Sequence, residues 1–257
     1  MTIDKTAEHP ARQQFWDELR KTTQARIGLG RAGNALPTRE VLELKAAHAV
    51  ARDAVHVPLD LPRLTGDIAE VGIGPPAVVT SRAGSREEYL RRPDLGRLPA
   101  DLSPVADHPA DLGFVLADGL SPMALMHHGT ALLTELVAQL QNSYSIAAPV
   151  IATQARVALG DHIAERGGYR TLIVIIGERP GLSVADSLGI YLTHLPYPGR
   201  SDAERNCISN IHPPDGLGYG RAARITASLI AGARQLGRSG VALKDTSLEA
   251  PQSAELH

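Results

Sequence analysis

The sequence is poor in several things, and each shortage excludes something. Among 257 residues there is one cysteine, Cys207. No internal disulfide can form, and the chain suits a reducing compartment. Aromatic residues make up 4%. A core must then be built from Ala, Leu, Val and Ile, and a stacked-ring platform for single-stranded nucleic acid is excluded. Neither sign of charge dominates: 26 basic and 28 acidic side chains give a net −2. That leaves no basic face of the size that nucleic acid or an anionic membrane demands. The longest apolar run, "TLIVII", is far too short to span a bilayer. The opening stretch "MTIDKTAEHPARQQF" has no apolar signal core. The expectation is a soluble, cytoplasmic protein with no nucleic-acid or membrane partner. G-x-S-x-G, phosphate-binding P-loop, H-E-x-x-H and paired C-x-x-C patterns are also missing.

What is present reads as α/β. Hydrophobic residues reach 43%, enough for one large domain, or a main domain with an appendage. Residues 11–22 have helical spacing behind Pro10, and 36–55 form a second helix with Thr38 as a candidate N-cap. Residues 58–76 are rich in proline and glycine and read as a linker. Strand patterns follow in "PAVVTS", "FVLAD", "PVIAT", "TLIVIIGE" and "SLGIYLTHL". Helical patterns alternate with them: a long one after Ser121–Pro122, a short one in "GDHIAERGG", and a closing one over 220–240. "TLIVIIGE" is apolar throughout, so it must be covered on both faces. Alternating strands and helices predict a parallel, Rossmann-like sheet with right-handed crossovers. Residues 1–76 form a helical N-terminal region and linker, 77–244 the α/β domain, and 245–257 a polar tail.

"GLGRAG" (28–33) matches the dinucleotide-binding fingerprint literally, and Asp53 falls twenty residues beyond Gly33. The mechanism needs a buried strand before the glycines and a helix starting on them. "TTQARI" precedes and "NALPT" follows, so the glycines read instead as a tight turn between helices. Ligands of open parallel sheets sit beyond the C-terminal strand ends. Three loops combine glycine and polar side chains there: Asp118–Ser121, Gln154–Asp161 and Gly177–Gly181. Singly each is an ordinary strand-to-helix turn; together they favour a ligand edge. Cys207 and His212, five apart, lack the partners of a zinc site. His127 and His128 are adjacent on a helix and point to different sides, so the spacing predicts packing or surface histidines rather than a chelating pair.

Several stretches, in order, resemble a known family: "ARIGLGRAG", "REEYLRRPDLGR", "LADGLSP", "ARVALGD", "IVIIGERPGL" and "ERNCISNIH". They are similar to the small subunits of ethanolamine ammonia-lyases, over about residues 25–240. The resemblance implies a hetero-oligomer with a large, TIM-barrel subunit that binds ethanolamine and carries the catalytic groups. It implies adenosylcobalamin as cofactor and a radical reaction giving acetaldehyde and ammonia. This chain would help bind cobalamin at the subunit interface, through its 77–244 domain. Carried over by motif, the cobalamin contacts are Val157 in "ARVALGD", Glu178 in "GERPGL" and Cys207 in "RNCISNIH", with no catalytic or metal-ligating residue on this chain. Cys207 then reads as a neutral contact, the alternative being a packing cysteine. The chain lacks D-x-H-x-x-G, which fits cobalamin retaining its own base on cobalt. In some relatives the N-terminal region targets a bacterial microcompartment, and the first helix is the segment available for that. The stretch "PPDGLGYG" after His212 does not align with the family pattern. The alternatives from other classes are a stand-alone α/β enzyme using a nucleotide or Cys207 as nucleophile, and a plain scaffold.

Overall fold

The computed structural model describes residues 10–245, so the segment 1–9 and all but the first residue of the expected polar tail lie outside the described residues. Six strands form one sheet: β1 (Ala77–Thr80), β2 (Ala110–Ala117), β3 (Val150–Thr153), β4 (Tyr169–Gly177), β5 (Leu188–His194) and β6 (Asn206–Ile211), in the order β1-β3-β2-β4-β5-β6. The pairs β1–β3, β3–β2 and β2–β4 are parallel. β4–β5 and β5–β6 are antiparallel. The α/β class expected from the pattern holds, but the sheet is only mostly parallel. The short loop from β4 to β5 leaves no room for the helical crossover that parallel strands require.

Among the described residues there are seven α-helices: α1 (Pro10–Arg20), α2 (Thr38–His56), α3 (Leu61–Ala69), α4 (Arg86–Arg91), α5 (Pro122–Leu140), α6 (Leu159–Gly167) and α7 (Tyr219–Leu236). Side chains alternate across each strand, so β4 divides its apolar run between two cores. Ile173 and Ile175 join Leu132, Leu136 and Ile230 on the α5–α7 face. Leu172, Val174 and Ile176 join Leu159 and Ile163 on the α6 face. Each such fully buried side chain contributes about 1.5–3 kcal/mol. The chain therefore leaves β2 for one face through α5 and leaves β3 for the other through α6. This change of face opens a crevice at the strand ends.

Local signals set the helix ends. Ser121 Oγ accepts from the Ala124 N–H, with Pro122 in the first turn of α5. Gly168, at φ 71°, closes α6. α2 begins on Thr38 itself, with Pro37 rather than Thr38 at the cap position. Two further readings need correction. The expected linker 58–76 contains α3: the Asp60 carboxylate accepts from the Arg63 N–H, Pro62 is tolerated in the first turn, and Leu64 and Ile68 enter the core. The polar stretch around Cys207 is strand β6, which buries Ile208 and Ile211 while Cys207, Ser209 and Asn210 stay exposed. The "GLGRAG" glycines lie in the loop between α1 and α2, all three with left-handed φ of 62°, 73° and 62°. Asp53 lies inside α2, and among the described residues no strand precedes the motif. Among the described residues no helix is long and apolar enough to cross a membrane.

Candidate functional site

The three glycine–polar loops meet at the C-terminal ends of β2, β3 and β4. They border a cleft of about 440 Å³ lined by Tyr89, Arg156, Val157, Ile176, Glu178 and Tyr191 among others. Asp118, at the end of β2, ties the first two loops together. Its carboxylate oxygens accept from the backbone N–H groups of Gln154 at 2.8 Å and Ala155 at 2.9 Å. Arg86, from α4, stands 3.6 Å from the same carboxylate. Burial raises the Asp118 carboxyl from its ordinary value, against the pull of the two N–H donors and Arg86.

Arg86 also donates to the carbonyls of Val55 at 2.7 Å and Gly119 at 2.8 Å. Its guanidinium lies 4.9 Å from the Tyr89 ring centre, and that of Arg156 lies 4.5 Å from it. The Tyr89 hydroxyl donates to the Ala155 carbonyl at 3.0 Å. Two cations packed on the electron-rich faces of one neutral ring hold that ring in place. Three polar atoms in this network are buried without a hydrogen-bond partner: Arg86 Nη2, Arg156 Nε and Gln154 Oε1. Such atoms are costly to leave unpaired, and of the three residues Arg156 lines the cleft.

Glu178 is held from two sides. Its Oε2 accepts from Ser187 Oγ at 2.7 Å and from the Asn210 N–H at 3.2 Å. Gly189, at the start of β5, makes room for it: a Cβ there would meet Glu178 Oε1 at 2.9 Å. Glu178 and Val157 thus share one cleft, half-buried on opposite loops. Cys207 does not line it directly. It pairs across the β5–β6 ladder with Tyr191, which does. Crowding around the Cys207 thiol raises its pKa; the Tyr191 hydroxyl opposes the rise and Glu178 adds to it. Burial, with Cys207 and Glu178 nearby, pushes the Tyr191 phenol up to about 12. At neutral pH both groups are protonated and neutral, and a protonated thiol is a poor nucleophile.

Sequence reasoning missed Tyr89, Arg86, Arg156 and Tyr191. The signal was present in "REEYLRRPDLGR" and in Arg156 beside Val157, but nothing local says that residues 86 and 156 share a ring. Nor does the spacing of the histidine pair reveal what the two rings meet. Although adjacent on α5, His127 and His128 both reach Asp186, at 3.0 Å and 3.4 Å. The side chains point to different sides of the helix, but Asp186 comes from another segment and sits between them. His212 is tied to Asn210 Oδ1 at 2.8 Å and is not gathered with Cys207 into a ligand cluster.

Comparison with known proteins agrees with the family resemblance of the sequence motifs. A family model described as "Ethanolamine ammonia-lyase light chain (EutC)" matches residues 13–244. A protein of Rhodococcus erythropolis named "Ethanolamine ammonia-lyase small subunit" is 68% identical over 233 residues, 91% of each chain. Proteins of the same name are 47% identical in Bradyrhizobium diazoefficiens, over 90% of this chain and 91% of that one, and 44% identical in Ralstonia nicotianae, over 91% and 90%.

Proposed function

The chain belongs to the ethanolamine ammonia-lyase light-chain family, and from that premise we propose that it forms one wall of an adenosylcobalamin site completed by a large subunit. The complex would convert ethanolamine to acetaldehyde and ammonia, with substrate and catalytic groups on the larger partner. The observation that carries this reading is the shared cleft of Val157 and Glu178, with Tyr191 linking it to Cys207.

The cleft suits one edge of a corrin. A volume of about 440 Å³ lies in the range of small-molecule pockets. It is too small for a whole cobalamin, as a wall shared with a partner would be. Corrin carries peripheral amides around an apolar rim. The Glu178 carboxylate, already oriented by Ser187 and Asn210, accepts amide hydrogens; Val157 packs on the rim; Cys207 adds a neutral, polarizable contact. Arg156, which lines the cleft, has an Nε without a hydrogen-bond partner and adds a donor beside the same periphery. When bound, the cofactor supplies radical chemistry through homolysis of its cobalt–carbon bond. This chain's residues bind, orient and exclude water. The raised Cys207 thiol argues against the stand-alone reading in which that residue is a nucleophile.

The test is retention of corrin absorbance after desalting. The pair of subunits is expected to retain cobalamin, and each subunit alone to lose it. Loss by the pair would overturn the proposal.

A further inference from the structure

A second set of polar groups lies outside the cobalamin cleft. His127 and His128 belong to the first half of α5, and Asp186 to the loop before β5. His127 Nδ1 is 3.0 Å and His128 Nε2 3.4 Å from Asp186 Oδ2, and one ligand atom from each residue lies within 4.8 Å of the others. Ligand atoms about 2.0–2.1 Å from a tetrahedral ion are separated by about 3.3 Å. The two distances to Asp186 therefore bracket what an ion needs. The His127 side chain is 53% exposed, so no close packing holds its ring at the present separation.

His128 supplies an independent observation. Its Nδ1 lies 2.7 Å from the Tyr219 hydroxyl, and its Nε2 is buried without a hydrogen-bond partner. With the proton on Nδ1, donated to Tyr219, the Nε2 lone pair faces a carboxylate oxygen. A cation between the two turns that repulsion into attraction. A second hydrogen bond that fixes the ring and tautomer is a regular feature of metal-bound histidines. Two imidazoles and one carboxylate suit zinc and related transition ions; magnesium and calcium take oxygen ligands. The group opens onto a cleft of about 570 Å³, with room for water in a fourth position.

We propose that His127, His128 and Asp186 form a binding site for a divalent transition-metal ion such as zinc, with one coordination position open to the cleft. Tyr219 is its positioning residue. The ion ties α5 to the loop that carries Asp186 and Ser187, and Ser187 in turn holds Glu178.

The test uses the full, untagged chain without cobalamin. Zinc uptake is measured by equilibrium dialysis, and cobalt(II) by its visible absorption. One ion per chain is expected. Asp186→Asn and His128→Gln should each weaken binding at least about 10-fold, and Tyr219→Phe about 10-fold. His108→Gln, on a separate cavity, should leave binding unchanged. If either of the first two variants loses its folded circular-dichroism spectrum, His127→Gln replaces it, because that ring is 53% exposed. No stoichiometric uptake, or equal affinity in the folded variants and the natural chain, would overturn the site.

Discussion

Asp161 and Arg205 meet through two hydrogen bonds of 2.8 and 2.6 Å, while Asp118 and Arg86, beside the cleft at the strand ends, stand 3.6 Å apart. The first pair is 0% and 1% exposed, and Thr193 Oγ1 adds a third partner at 2.8 Å. It joins the first turn of α6 to the residue before β6. The second pair spends its hydrogen bonds on backbone groups: Asp118 on two N–H donors, Arg86 on two carbonyls. The first pair is joined directly and the second is spread over loops, though each leaves one buried arginine nitrogen without a hydrogen-bond partner, Arg205 Nε and Arg86 Nη2. A closed pair fixes structure, and a spread one shapes a surface for a ligand. The difference is what separates scaffold from site in this molecule.

The largest expected effect tests the closed pair. Arg205→Leu leaves the Asp161 carboxylate buried and unmatched and should cost about 3–5 kcal/mol in urea unfolding. The double change Asp161→Leu/Arg205→Leu should cost less than that single one. A single-variant loss below about 1 kcal/mol would break the comparison.

The spread pair should respond less. Asp118→Asn keeps one good acceptor for two backbone donors and should cost about 1–3 kcal/mol at pH 7. It should also change the pH dependence. Burial raises the Asp118 carboxyl in the folded chain, so the folded state holds its proton more tightly than the unfolded one. That contribution is fully present below the unfolded value of about 3.9 and is lost as pH rises through the folded value. The deficit of Asp118→Asn should therefore be greatest at low pH and narrow as pH rises; a deficit independent of pH would contradict the assignment.

The smallest effect on folding belongs to the cleft itself. Glu178→Gln retains an oxygen acceptor for Ser187 and Asn210, so stability should change by less than about 1 kcal/mol. Cobalamin affinity of the assembled complex should nevertheless fall about 10-fold, the loss of one charge-assisted contact. A variant that loses stability and cofactor affinity together would place Glu178 with the scaffold.

Legibility in the sequence followed the same division. β2, β3 and β4 were readable because both faces of each strand are covered, which forces continuous apolar runs. The three loops at their ends were readable because glycine and a polar residue after a strand have few other uses. β6 was hidden: its outward positions are polar, and Asn210, at φ 61°, breaks the alternation. α3 was hidden by its prolines, although Pro62 sits where a helix tolerates one. The Tyr89–Arg156 contact joins residues 67 positions apart through a six-residue helix, and no periodicity encodes that. The histidine pair shows the limit of a one-helix argument, since the group that gathers His127 and His128 comes from another segment.

The central claim is that the cleft at the strand ends is a wall of the cobalamin site. The most direct measurement is a structure of the two-subunit complex with cobalamin bound. The account predicts corrin periphery in contact with Val157, Glu178 and Cys207, and Glu178 within hydrogen-bonding distance of a corrin amide. A corrin bound elsewhere, with those three side chains facing solvent or the partner alone, would contradict it.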